Sequence, residues 1–339
     1  MEHTCYHARV LDSHLETMID VLSDIFLNSL FAPEEVEKER PVIFQEIGMA
    51  EDNPEDLLHQ NASRHFWGDT PLGRSILGPP QNIERFDARI IKDFFDSHYQ
   101  AERIIISLAG NLEHEAVVAL LAPLFESLPK GNPLPPRLTP TSRRHCRIHA
   151  KPLEQAHVCL MTEGLASTAE GRFALSLLNT LLGGNMSSRL FQKIRETHGL
   201  AYSVYSFTSA HEDTGMFGAY TAVAPEQAAA AVAMILEELR RLSTELVDAA
   251  ELRDAKEFIR GNLHLADESV DNQMVRLAQN EIYFGRDIPL SETLANFDRV
   301  QAKEIMALAG RLFDPEQLSL TVLGPQMDTR AMEQMIGVS

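Results

Sequence analysis

The chain has 339 residues, 44% of them hydrophobic, and carries 49 acidic against 30 Lys and Arg side chains, a formal net charge of -19. That balance excludes a nucleic-acid partner, whose phosphates are held by clustered Lys and Arg, and no apolar run approaches the roughly 20 residues that span a bilayer. The length favours two domains, each large enough to bury its own core.

In chain order, the opening MEHTCYHARV has neither a basic nor an apolar signal region. The three cysteines, Cys5, Cys146 and Cys159, form no CxxC pair. Together these give the expectation of a reducing, cytoplasmic setting without a membrane partner. From Tyr6 to Phe26 the sequence reads as a strand and then a long amphipathic helix. Next comes PEEVEKERPVIFQE. Pro33 suits a first helical turn, and a helix from about Glu34 to about Ala50 puts Val36, Ile43 and Ala50 at one heptad position. Glu39 and Glu46 fall at the partner position of the same seam, two turns and ~10 Å apart. A buried carboxylate costs several kcal/mol unless it is paired, hydrogen-bonded or metal-bound. The stripe therefore implies a salt-bridged interior, a half-buried face or a metal. Pro41, between the acids, predicts a kink near Glu37.

Further along, RIIISLAG reads as a buried strand, and LPKGNPLPPRLTPTSRR, Leu128 to Arg144, as an interdomain connection. The expected domains are residues 1–127 and 147–339 with a linker over 128–146. After the linker come a strand, AHVCLMTEG, a helix, EGRFALSLLNTLLGG, and the segment NMSSRLFQKIRETHGLAYSVYSF. GGNMSSR lacks the lysine and spacing of a phosphate loop and reads as a helix stop followed by a serine N-cap.

The two halves repeat. YQAERIIISLAG (Tyr99–Gly110) aligns without a gap on FDPEQLSLTVLG (Phe313–Gly324), and FWGDTPL (Phe66–Leu72) faces YFGRDIPL (Tyr283–Leu290) in the same order. The expected class is α+β: two homologous α/β-sandwich domains, each an antiparallel-rich sheet with helices packed on it. The second half carries a stretch before Gly218 that the first half lacks, so the first domain is expected to be incomplete at its N-terminus and to associate through exposed core surface. In the repeat Glu39 lies opposite Ala255 and Glu46 opposite Asn262, so the fold itself does not require the acids.

ERPVIFQEIGMAEDNPEDLLHQ, FWGDTPLGRSILG, FFDSHYQAERIIISLAGNLEHE and GGNMSSRLFQKIRETHGLAYSVYS together resemble the insulinase/pitrilysin family of zinc metallopeptidases. Within it they are most similar to the short, two-domain, mitochondrial-processing-peptidase-like members. The resemblance implies zinc as cofactor, bound by an H-x-x-E-H helix and by a glutamate on a later helix patterned E-x6-E. On that pattern Glu46 matches the metal ligand and Glu39 the supporting catalytic acid, while Arg195 and Tyr202 match a pair that binds the substrate backbone and a developing oxyanion. On their own, Arg195 is also what a helix C-terminus favours and Tyr202 what a strand favours.

No H-x-x-E-H occurs in the sequence. The histidine pairs four apart, His3 with His7 and His145 with His149, lie in strand or linker stretches, where the side chains would stand ~13 Å apart. His145, Cys146 and His149 form at most a weak site. The resemblance thus implies a zinc-dependent endopeptidase acting on peptides in an interdomain chamber, inactive without the missing motif. The alternatives are a non-catalytic subunit, in a homodimer or in a heterodimer with an H-x-x-E-H-bearing subunit, and a peptide-binding scaffold.

Overall fold

The computed structural model describes residues 2–131 and 137–337; residues 132–136 of the expected linker lie outside them. In chain order the helices are α1 (Leu15–Leu27), α2 (Pro33–Asp52), α3 (Pro54–Trp67), α4 (Pro80–Ile83), α5 (Ala88–His98), α6 (His114–Phe125), α7 (Arg172–Leu182), α8 (Ala228–Thr244), α9 (Ala249–Asp267), α10 (Val270–Phe284), α11 (Leu290–Arg299), α12 (Ala302–Leu312) and α13 (Arg330–Ile336). The strands are β1 (Cys146–Ala150), β2 (Ala156–Glu163), β3 (Ala201–Ala210), β4 (Gly215–Val223) and β5 (Ser319–Gly324). No helix among the described residues is long and apolar enough to cross a membrane.

Two compact units result. The first comprises Met1–Gly48, Ile76–Arg137 and His264–Ile288; the second comprises Met49–Ser75, Leu138–Leu263 and Pro289–Ser339. The boundaries 1–127 and 147–339 follow order along the chain, whereas spatial grouping exchanges one helix in each direction. α3 belongs to the second unit and α10 to the first. These are the helices that end in the repeated FWGDTPL and YFGRDIPL segments.

The second unit is a five-stranded sheet of order β1-β5-β2-β4-β3, antiparallel except for the parallel β1/β5 pair. Its central strand β2 is apolar on both faces, because alternate residues point opposite ways. Val158 and Leu160 join a core built with α7, α8 and α12, while Cys159 and Met161 join a second core under α3. α3 starts where the Asn53 side chain accepts hydrogen bonds from the backbone N–H groups of Glu55 and Asp56, with Pro54 at the first helical position. Leu58, Ala62 and Phe66, spaced four apart, are its fully buried stripe. On the opposite face α7 ends at Gly183, where a Cβ would come within 2.3 Å of the Ser206 backbone nitrogen on β3. Only glycine permits that approach.

The first unit holds no strand among its described residues. This corrects the expectation of a buried strand over RIIISLAG: Ile104 is extended, but the segment joins no ladder and Ile105 and Ile106 stay 45% exposed. Alternating aliphatics give a segment the propensity for a strand, but a strand is completed only by a paired neighbour. Here α10 holds the extended segments instead. The Ser107 hydroxyl donates to the Met274 carbonyl at 2.8 Å, Arg9 pairs with Asp271 at 2.9 Å and the Tyr283 hydroxyl donates to Glu2 at 2.9 Å. Phe26, Phe95 and Tyr99 form an aromatic cluster beside them.

Candidate functional site

α2 runs continuously from Pro33 to Asp52, through Pro41. Val36, Ile43 and Ala50 are half-buried, while Glu39 and Glu46 are exposed. The stripe is therefore half-open rather than core-facing, and hydrated carboxylates need none of the partners a buried pair would. Glu39 borders a groove of about 440 Å³ in the first unit, floored by Phe31, Val36, Ile43, Ile83 and Phe86. One wall is fixed by Arg40, whose guanidinium pairs with Glu37 and donates to the carbonyls of Ile83 and Phe86.

Among the described residues no three His, Cys, Asp or Glu side chains are placed to share an ion. A catalytic zinc takes three protein ligands, so Glu46 supplies at most one, and the residues present do not by themselves fit the metal. His3 and His7 are exposed on the unladdered N-terminal segment. His145 is committed elsewhere: its Nδ1 lies 3.1 Å from the Arg143 carbonyl, to which it donates, and its Nε2 accepts from the Thr321 hydroxyl at 2.9 Å.

His149 instead meets His65 of α3, Nε2 to Nε2 at 3.0 Å. No sequence signal pointed to this contact between residues 84 positions apart. Burial, followed by His145, His149, Arg147 and Arg64, pushes His65 down to about 4, and burial also lowers His145 and His149. The bond needs one neutral nitrogen as acceptor. A histidine whose pKa is lower folded than unfolded binds its proton more readily in the unfolded chain. Its contribution is therefore complete above pH 6.5 and is lost as pH falls from there towards 4. Melting temperature measured from pH 7.5 to 4.5 should decline over this window, and His65→Gln should flatten the decline; equal slopes for both proteins would show that the cluster is not coupled to folding.

A second contact that sequence reasoning missed lies under α3. The Tyr205 hydroxyl donates to Glu55 Oε1 at 2.6 Å and sits 2.9 Å from His59 Nε2. Burial and the Glu55 carboxylate push the phenols of Tyr205 and Tyr220 upward, keeping both neutral. The available signal was Glu55 and His59 one turn apart on the same side of a helix whose other residues there are apolar.

Arg195 and Tyr202 are brought together. Arg195 lies in a π-helical stretch, Phe191–Thr197, where the His198 N–H reaches back five residues to the Lys193 carbonyl at 3.2 Å. Gly199, at φ +62°, closes the turn. Tyr202 follows at the start of β3, beside a one-residue bulge: Ala201 pairs with Val223, but Val204 pairs with Thr221. The bulge turns the tyrosine out, leaving it 81% exposed. The guanidinium carbon of Arg195 stands 4.4 Å from the Tyr202 ring centroid and 4.8 Å from that of Phe191, and Nη1 donates to the Tyr202 carbonyl at 2.8 Å. π-bulges and β-bulges both concentrate at functional sites. Two of them within a dozen residues hold one cation over one phenol, with guanidinium N–H groups and the phenolic O–H left to meet an acceptor. Glu39 and Glu46 fall in the first unit and Arg195 and Tyr202 in the second.

Comparison with known proteins adds three findings. Residues 1–80 match the family described as insulinase, peptidase family M16, and residues 85–259 match the peptidase M16 inactive domain. An uncharacterized zinc protease of Streptomyces coelicolor is 36% identical over 97% of this chain and 73% of its own length, and the uncharacterized zinc protease YmxG of Bacillus subtilis is 36% identical over 96% and 79%. Among solved structures, a peptidase M16 inactive domain from Pseudomonas fluorescens superposes with a TM-score of 0.84 at 20% identity, covering 92% of this chain and 76% of that one. A protease from Helicobacter pylori gives 0.84 at 21%, covering 93% and 77%.

Proposed function

The chain belongs to the insulinase family of peptidases, family M16, and from that premise we propose that it serves zinc-dependent peptide hydrolysis by binding the peptide main chain at Arg195 and Tyr202. The observation that carries this reading is the guanidinium stacked on an exposed tyrosine at the junction of a π-turn and a β-bulge. Arg195, whose Nε stands 3.6 Å from Glu196 and whose Nη1 holds the Tyr202 carbonyl, donates from its remaining N–H groups, and Tyr202 from its hydroxyl, to carbonyl oxygens of an extended peptide. As the carbonyl becomes an oxyanion, charge-assisted donors of this kind strengthen their hold. Were zinc held, Glu46 would contribute one carboxylate to it and Glu39 would support that carboxylate. Among the described residues no further donors are placed to complete its coordination.

The sequence holds no H-x-x-E-H, which favours a second reading. The chain is then a peptide-binding subunit that works beside a polypeptide carrying that motif, in the manner of the processing-peptidase-like members it resembles. Both readings require peptide binding. Fluorescence anisotropy with a labelled, unstructured peptide of mixed sequence should show saturable binding. Arg195→Ala should weaken it about tenfold, the loss of one charge-assisted hydrogen bond, and Tyr202→Phe should weaken it by a smaller factor. Glu39→Gln should leave it unchanged. No binding by the parent chain, or equal affinity in Arg195→Ala, would remove the basis of both readings.

A further inference from the structure

The Arg195 turn is tied from behind by a cluster of charges that peptide binding does not use. Glu238 of α8 is 2% exposed, yet it is a carboxylate. Lys193 donates to it at 2.9 Å and to Glu237 at 2.6 Å, and Arg241 donates to it at 3.3 Å. Arg189, which precedes the π-turn, stands 4.0 Å from Glu238 and makes a bidentate pair with Glu251 of α9, both bonds at 2.7 Å. Lys193 and Arg195 are two residues apart, so they project from opposite sides of the turn. One faces α8 and the other faces Tyr202.

A buried ion pair is a poor way to gain stability, because desolvation offsets much of the attraction, and apolar residues of similar volume often do as well. What such a pair does supply is a fixed distance and direction. A wide turn is a rare geometry that needs outside support. Lys193 is the residue whose carbonyl accepts the five-residue bond from His198, as well as a contact from the His198 ring at 2.8 Å. Its side chain and its main chain are therefore both anchored.

We propose that Glu238 is a positioning residue: through Lys193 it holds the π-turn in its wide register and so sets the Arg195 guanidinium over the Tyr202 ring. What Arg195 is positioned for rests on the peptide-binding reading above; the positioning itself does not.

The test is 19F NMR of the full chain labelled with 3-fluorotyrosine. The chain has six tyrosines, and the Tyr202 signal is the one lost in Tyr202→Phe. Arg195→Ala should shift that signal towards the value of an unstacked, exposed tyrosine. Glu238→Gln and the milder Lys193→Gln should shift it at least half as far, with the other five signals in place, and Lys193→Arg should hold it near the parent position. Lys193→Gln leaves Glu238 paired with Arg241, so it reports even where Glu238→Gln does not fold.

The proposal falls if the Tyr202 signal stays put in Lys193→Gln. It also falls if all six signals move together, which would mean that the cluster only holds the fold, or if Arg195→Ala leaves the signal unmoved, since there is then no stack to position. Peptide affinity, measured on the same samples, separates the two ideas. A shifted signal with unchanged affinity keeps the positioning and sinks the peptide reading, whereas lost affinity with an unshifted signal does the reverse.

Discussion

Purified alone, the 339-residue chain should carry no stoichiometric zinc and cleave no peptide, and both properties should appear together once a polypeptide bearing H-x-x-E-H is supplied. The physical reason is the donor count. Glu46 is one carboxylate, the described residues place no three ligands together, and a catalytic zinc needs three. Without the ion, the greater part of a hydrolase's rate enhancement, commonly 10⁶-fold or more, has no source. Zinc content by atomic absorption and turnover of a quenched fluorogenic peptide are the two readouts. They should be compared for the chain alone, for the chain mixed with the motif-bearing polypeptide, and for a fusion with that polypeptide ahead of residue 1. Gain only in the fusion supports the peptidase reading, and gain on mixing supports the partner reading. In whichever form works, Glu46→Gln should abolish zinc binding, and Glu39→Gln should weaken it about 10- to 100-fold as a supporting carboxylate. Zinc-dependent turnover by the chain alone would overturn both readings.

Phe66→Ala should destabilise the second unit by about 3–5 kcal/mol. Phe66 is 1% exposed, meets the Trp67 ring edge-to-face at 4.9 Å, and lies in the core shared by α3, β2, β4 and β5. A cavity left at this site costs its lining the dispersion contacts that the ring supplied. Trp67 is the chain's single tryptophan, so its fluorescence in urea follows this core specifically. Val118→Ala, at a 43% exposed position on α6, is the control and should change stability by no more than about 0.5 kcal/mol. A Phe66→Ala effect below about 1 kcal/mol would mean that α3 does not cover the sheet.

Elements with strong local signals were legible in the sequence. The helix expected over 34–50 is α2, Pro33–Asp52, because Pro33 and a run of good helix formers decide it locally; AHVCLMTEG is β2 and SLTVLG is β5. RIIISLAG carries the same alternation as β5, yet lies unpaired and exposed, since a period-two pattern reports propensity and says nothing of a neighbour. For α2 the heptad spacing correctly placed Glu39 and Glu46 on the side of Val36 and Ile43, but periodicity cannot tell a covered face from an open one. The seven-residue spacing of Arg195 and Tyr202 would place neither over the other in an ordinary helix or strand. Their contact depends on a widened turn and an extra strand residue, two irregularities set by packing, and only the family resemblance drew attention to them. The His65–His149 contact joins distant parts of the chain and left no local trace, whereas the Glu55–Tyr205 contact left only the polar pair Glu55 and His59 on an otherwise apolar helix side, with nothing to name its partner.

The assignment of α3 to the second unit has a consequence for how the protein is made. α3 needs β2 and β5 to cover Leu58, Phe66 and Trp67, and β5 leaves the ribosome on the order of 250 residues after α3, a wait of roughly 10–50 s at about 5–20 residues per second. Throughout that interval an apolar helical stripe is in water with no native surface to lie on. The second unit can close only after β5 has been made, and until then the stripe is transiently exposed apolar surface of the kind that draws nascent chains into aggregation and that chaperones shield.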